Sequence, residues 1–304
     1  MRVLLTGSSG PKVGSMVAKH LAALHDVVGV DAAAGNFTRH VADITEMTDG
    51  DWRYRLEGVE AVVHFAALHA PHRTTHTRSE FMRTNVDATS RLLDAARRCG
   101  VKRFLLASST SVYGRAMRPT RNEAIWVTEK LEPDAEDIYD ETKLAAEQLC
   151  REAFTTEFVT AALRFSRSFP EPLPLLALYR LYRGVDARDV AQAFARALEA
   201  QLRQFEALNV SASTPFRQGD CQALYADAPA VLQQRCPALV AAFAKRRWEL
   251  PPSIDRVYVV EKATDLLGYR PQYDWRQVLE PGLARRGHRW FKTDFLSVAD
   301  QFCA

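Results

Sequence analysis

Two rhythms of apolar and polar positions alternate along the first two-thirds of the chain. Short apolar runs at residues 2–6, 27–31, 61–67, 104–107 and 158–165 have the length of buried strands, and a late run at 205–210 adds another. Between them apolar residues recur at helical spacing, as in Val13, Val17, Leu21 and Leu24, then Met82, Val86, Leu93 and Ala96. Leu144, Ala145, Leu149 and Ala153 repeat the pattern, as do Val190, Phe194, Ala197 and Leu198. Strands alternating with helices predict an α/β fold, a doubly wound parallel sheet with its ligand crevice at the carboxyl ends of the strands. The last third reads as mainly helical, bearing Phe216, Tyr225, Phe243 and Trp248. With the loop expected around Pro170, Pro172 and Pro174, it should form a small cap.

The polar residues at the predicted strand ends change this picture from a scaffold to a site. The 104–107 strand stops in Ser108-Ser109-Thr110-Ser111, and a helix begins downstream with Tyr139 and Lys143 four residues apart, hence on one face. A strand-tip hydroxyl, a phenol and an ammonium are the parts needed to move a proton on and off a carbinol oxygen. A free Tyr has a pKa of about 10, and a neighbouring fixed cation helps to lower it by the roughly 3 units, about 4 kcal/mol, that such work near neutrality requires. Nearer the start, Gly7-Ser8-Ser9-Gly10-Pro11-Lys12-Val13-Gly14 joins strand to helix, an arrangement that lets backbone approach a pyrophosphate at a helix N-terminus. Read alone, that turn is equally a glycine turn with no ligand. Asp31 closes the second strand, where a carboxylate accepts ribose hydroxyls and repels a 2′-phosphate; this favours NAD over NADP, although Arg39 and His40 lie nearby.

Composition removes other classes. The 304 residues carry 40 Lys+Arg against 37 Asp+Glu, a formal net charge of +3, with no basic run interleaved with aromatics, so nucleic acid is not an expected partner. Cys99, Cys150, Cys221, Cys236 and Cys303 are odd in number and lack metal-ligand spacing, as expected of reduced thiols in a cytoplasmic protein. No apolar run reaches about 18 residues and no leader pattern precedes the first strand, so neither a membrane span nor a signal peptide is expected. His69, His72 and His76 share a polar loop with Arg73 and Arg78; Pro71 argues against the helix on which such spacing would bind metal, and no metal is expected. The loop is read as a border of the substrate pocket or, equally, as solvated. His64 is read as packing.

Ser108-Ser109-x-x-Val112-Tyr113-Gly114 and Tyr139-x-x-x-Lys143 resemble the extended short-chain dehydrogenase/reductases, the NAD-dependent epimerase/dehydratase family. The resemblance covers nearly the whole chain, closely to about residue 165 and loosely beyond. It implies a Rossmann domain over 1–165 and a mixed region over 166–304, which completes the sheet at about 186–210 and forms the substrate cap. It assigns Tyr139 as acid/base, Lys143 to lower its pKa and hold the nicotinamide ribose, and Ser109 to bind the reacting oxygen. The implied NAD contacts are Gly7, Ser9, Gly10, Val13, Gly14, Asp31, Asp43, Ile44, Phe65, Ala66, Ala67, Asn85 and Lys143, with Asn85 also bracing the helix beside Lys143. The implied substrate contacts are Leu68, His69, Ser109, Thr110, Arg167 and Arg256. A salt bridge with a nearby acid is the competing reading of Arg256.

The chain departs from the family in three places. Its glycine loop is one residue longer than T-G-x-x-G-x-x-G, which leaves the place of Gly14 open. Thr110-Ser111 stands where 4,6-dehydratases carry Asp-Glu, which argues against that reaction. Residues 164–172 lack the Asn of nucleotide-sugar epimerases, and Phe169-Pro170-Glu171-Pro172 looks like uronate dehydrogenases. The expected function is NAD-dependent hydride transfer at a hydroxyl of a sugar or nucleotide-sugar. Release of the reduced cofactor gives a dehydrogenase, and return of the hydride to the other face gives an epimerase. Oxidation of a free sugar acid and a non-catalytic NAD(P)-sensing regulator are the alternatives, and a homodimer is left open.

Overall fold

The computed structural model describes residues 1–280; the remainder of the expected cap, 281–304 with Cys303, lies outside them. β1 (Arg2–Thr6) leads through the glycine turn into α1 (Val13–Ala22), β2 (Asp26–Asp31) and the two-residue β3 (His40–Val41). α2 (Asp49–Arg55) and β4 (Ala61–His64) follow, and the histidine loop forms a 3-10 turn over Ala70–Thr74. α3 (Arg78–Met82) and α4 (Ala88–Arg98) form the helix expected over 79–99 as one continuous run, with a π-helical turn over Arg83–Asp87 between them. β5 (Arg103–Ser109), β6 (Ile125–Val127), α5 (Ile138–Ala153) and β7 (Val159–Phe165) come next. Then come α6 (Leu173–Tyr182), α7 (Ala187–Glu199) and β8 (Glu206–Val210). The rest comprises α8 (Cys221–Ala226), α9 (Ala228–Arg235), α10 (Pro237–Arg246), β9 (Arg256–Tyr258), α11 (Glu261–Leu267) and α12 (Trp275–Leu279).

Seven strands form one parallel sheet in the order β3-β2-β1-β4-β5-β7-β8, as expected of a doubly wound fold. Continuous apolar strands are explained by burial on both faces. Val3, Leu5, Val63, Leu105 and Leu163 pack against α1, α7 and α11, while Leu4, Val62, Phe104, Leu106 and Ala162 pack against α2, α4 and α5. A third apolar cluster gathers α6, α8, α9, α10 and α12 into the cap, and β6 pairs in parallel with β9 beside it. Among the described residues no helix is long and apolar enough to cross a membrane.

The loop expected around Pro170–Pro174 is only partly a loop. Residues 173–182 are α6, whose Ala177, Leu178 and Leu181 are core residues of the cap. Pro172 is its N-cap and Pro174 lies in its first turn, where a missing N–H forfeits no helical hydrogen bond. The prolines therefore start this helix instead of breaking it.

One ionic contact ties the sheet to α5. Arg164 in β7 donates from Nε at 2.9 Å and from Nη2 at 2.6 Å to Glu147, and Ser108 in β5 donates to the same carboxylate at 2.5 Å. Glu147 is 4% and Arg164 5% exposed, so neither charge has water to fall back on. Arg164→Leu is therefore predicted to cost about 3–5 kcal/mol in denaturant unfolding by stranding Glu147, and the double variant Glu147→Leu/Arg164→Leu less than that.

Candidate active site

The three residues expected to work together meet at the carboxyl end of β5. Ser109 is the last residue of β5 and caps the following 3-10 turn by accepting the Ser111 N–H at 3.1 Å. Asp137 is the N-cap of α5, accepting the Tyr139 and Asp140 N–H groups at 2.8 and 3.1 Å, and so sets where Tyr139 emerges. The Ser109 hydroxyl lies near enough to the Tyr139 phenol to favour its charged form. One turn on, the Lys143 ammonium donates to the Ala107 carbonyl at 2.8 Å and lies 5.9 Å from the centroid of the Tyr139 ring.

The electrostatics differ from the expectation for Tyr139. Burial pushes its phenol above the ordinary value of 10.0, Asp140 and Asp137 add to this, and the nearby Ser109 hydroxyl opposes it. Burial also lowers Lys143 to about 8, with Glu147 pulling the other way. The pair as it stands holds a neutral phenol beside a readily deprotonated amine, and lowering the phenol requires further positive charge at its oxygen. His64 behaves as packing: its ring is hydrogen-bonded to Thr6 at 2.6 Å and Thr89 at 2.9 Å, and burial lowers it to about 3.

Asn85 lies in the π-helical turn. Its amide accepts from Leu68 N at 2.7 Å and donates to Leu68 O at 2.8 Å and to Thr142 Oγ1 at 2.9 Å. It thus clamps the loop after β4 to α5 beside Lys143, and the amide is engaged by the chain itself. The backbone of Ala66 is held to Thr6 Oγ1 at 3.2 Å, while the Phe65 ring turns down against Phe194, centroids 4.6 Å apart. Ala67 and Leu68 continue that loop to His69, which stands at the rim and is lowered to about 4 by burial of its ring, then by His72, Lys143 and Lys12. The ring of His72 stands edge to face with those of His69 and His76, centroids 4.3 and 5.2 Å apart, and among the described residues no cluster is arranged to hold a metal.

The longer glycine loop still closes tightly. Gly7 has φ +74°, and a Cβ on Gly14 would lie 2.1 Å from the Gly7 carbonyl, so Gly14 provides close helix–strand packing despite the extra residue. The surplus is taken up by a turn at Pro11 and Lys12, after which α1 starts at Val13 with no side-chain cap, its Ser15 N–H held by the Gly10 carbonyl at 3.0 Å. Gly10 N bonds to Gly7 O, and Ser9 donates its N–H to Asp31 at 2.9 Å, which links the loop to the end of β2. Asp43 accepts the Thr45 N–H at 2.8 Å, and Ile44 is buried in the layer under α2 and α4. A tight glycine turn, an uncapped helix start and a carboxylate at the next strand end fit a dinucleotide.

On the cap side, Thr110 is buried at the start of the 3-10 turn. Arg167, two residues past β7, pairs with Glu171 at 2.5 Å. Arg256 bonds through Nε to Asp255 at 2.9 Å and through Nη1 to Met117 Sδ at 3.5 Å; it thus shows the acid pairing that competed with a substrate role. Sequence reasoning passed over Lys12, Asp140 and Glu147. Glu147 follows Lys143 by one helical turn and so was legible as a same-face residue, whereas the other two carry no local signal.

Residues 3–169 match the model of the NAD dependent epimerase/dehydratase family. A uronate dehydrogenase of Pseudomonas syringae pv. tomato is 30% identical over 179 residues, 56% of this chain and 61% of that protein. A UDP-glucose 4-epimerase of Klebsiella pneumoniae is 32% identical over 130 residues, 38% of this chain and 93% of that protein. The fold is shared with a UDP-glucuronic acid 4-epimerase from Bacillus cereus, solved with UDP-glucuronic acid and NAD: the TM-score is 0.66 at 20% identity, covering 95% of this chain and 100% of that one.

Asp140, beside Tyr139, is 3% exposed, and its Oδ1 lacks a well-formed hydrogen bond, with the Ser111 hydroxyl as its neighbour. Burial raises it from 3.8 to about 6. A carboxyl raised on folding favours the folded state most fully below its unfolded value and loses that contribution as pH climbs through the folded one. Asp140→Asn is therefore predicted to stabilise the protein above pH 6, on the order of 2 kcal/mol at pH 8, with the gain vanishing near pH 4 in parallel denaturant titrations.

Proposed function

The chain belongs to the NAD-dependent epimerase/dehydratase family, and on that premise we propose that it is an NAD-dependent oxidoreductase or epimerase acting at a hydroxyl of a sugar or nucleotide-sugar. The observation that carries this reading is the convergence of Tyr139, Ser109 and Lys143 at the carboxyl ends of the strands, the end at which the glycine turn also lies. When bound, NAD supplies the hydride acceptor and, in its oxidised form, the positive charge that the Tyr139 oxygen lacks in the chain alone. Ser109 holds the substrate oxygen against the phenol. Tyr139 takes the hydroxyl proton, and the Lys143 ammonium stabilises the resulting phenolate.

The order of events follows from burial. A phenol pushed up by desolvation stays protonated until positive charge accumulates beside it, so proton removal waits on an assembled site. Lys143 must keep its own proton meanwhile, and Glu147 opposes the desolvation that would remove it. Asn85 and Thr142 fix the helix turn that carries both side chains.

A second reading, oxidation of a free sugar acid, is favoured by charge bookkeeping in the cap. A nucleotide diphosphate needs uncommitted cations, yet Arg167 is paired with Glu171 and Arg256 with Asp255. The uronate dehydrogenase relative points the same way.

Incubation with NAD+ and a panel of sugar acids and nucleotide-sugars, followed by nicotinamide absorbance and by chromatography of the sugar, separates the outcomes. Turnover is expected on one substrate class, with Tyr139→Phe slower by at least about a hundredfold while still binding NAD+. Cofactor binding without reduction or epimer formation by the wild type would favour the sensing regulator.

A further inference from the structure

Lys12 lies in the turn that takes up the extra residue of the glycine loop, and its side chain reaches across the sheet. β1 and β7 stand three strand spacings apart, roughly 14 Å, with β4 and β5 between them. Even so, Lys12 Nζ lies 4.8 Å from the centroid of the Phe169 ring in the segment after β7. The loop after β1 and the segment after β7 therefore meet across the strands that separate them. Arg167 completes the bridge, standing 5.2 Å from the Phe169 centroid and 2.5 Å from the Glu171 carboxylate.

Lys12 is poorly served there. It is the N-cap of α1, whose first turn has no acidic residue and whose positive end disfavours a cation. It is partly desolvated, Arg167 repels it, and Glu171 is the acid that favours its charge. Glu171 pairs directly with Arg167 and favours the Lys12 charge from beyond ion-pair distance, so the two cations share one carboxylate unequally beside the glycine turn. A multiply charged anion entering between them would satisfy both cations, the helix terminus and the glycine backbone together.

We propose, on the reading that NAD occupies this cleft, that Lys12 grips the cofactor's pyrophosphate and that Glu171 is its resting counter-ion, exchanged for the phosphates on binding. The latch also gives the segment 167–171 a task distinct from the substrate contact expected of Arg167.

The two ends of the latch predict effects of opposite sign. Calorimetric titration of NAD+ into the full chain should show a Kd raised about tenfold in Lys12→Gln and kept within about threefold of wild type in Lys12→Arg. Glu171→Gln, which frees Lys12 and Arg167, should lower Kd several-fold, an advantage that shrinks with added salt. If Lys12→Gln binds NAD+ as tightly as wild type, or Glu171→Gln weakens binding as Lys12→Gln does, the latch is merely structural and the proposal is overturned. A wild type that gives no heat with NAD+ would instead overturn the underlying reading of the cleft.

Discussion

The buried contact of Glu147 with Arg164 and Ser108 is the constraint on which the site geometry depends. Its three members come from α5, β7 and β5, and Ser108 and Arg164 are register partners in the sheet. Ser109 follows Ser108 directly, and Lys143 precedes Glu147 by one helical turn. Locking the carboxylate between the two strands therefore fixes the height of α5 against β5, which is what brings Tyr139 to the strand-tip hydroxyl. A buried ion pair is weak evidence for stability, but it tolerates little error in position, because a slipped register would leave a full charge unpaired.

Around this anchor the site is held in an unfinished electrostatic state. Tyr139 is driven toward its neutral form by burial and by two neighbouring carboxylates, while Lys143 is driven toward its own neutral form by burial. On the reading that NAD occupies the cleft, the positive charge of its oxidised nicotinamide would favour the Tyr139 phenolate. Lys12, Arg167 and Glu171 show the same incompleteness at the other end of the cleft.

Much of this was legible in the sequence because parallel strands buried on both faces are short, uninterrupted and apolar, and because their polar ends stand out. The sheet, the position of Ser109 at a strand tip and the shared face of Tyr139 and Lys143 all follow from spacing alone. The extra residue in the glycine loop left the place of Gly14 open, and only the packing against the Gly7 carbonyl resolves it. Helix α6 was hidden by Pro172 and Pro174, which break helices in the interior and open them at the N-terminus. The pairing of Arg256 with Asp255, the unsatisfied carboxylate of Asp140 and the reach of Lys12 to Phe169 are tertiary facts. Local pattern reports which face a residue occupies, and it does not report what a long charged side chain finds across a crevice.

The central claim is that Tyr139 becomes an acid/base group only in the assembled site. The most direct measurement is the near-ultraviolet phenolate absorbance of wild type minus Tyr139→Phe as a function of pH, with and without saturating NAD+. The account predicts no ionisation from this residue below about pH 10 in the chain alone and one shifted well below that value once NAD+ is bound. A Tyr139 that ionises identically in both titrations, or at no accessible pH in either, would contradict it.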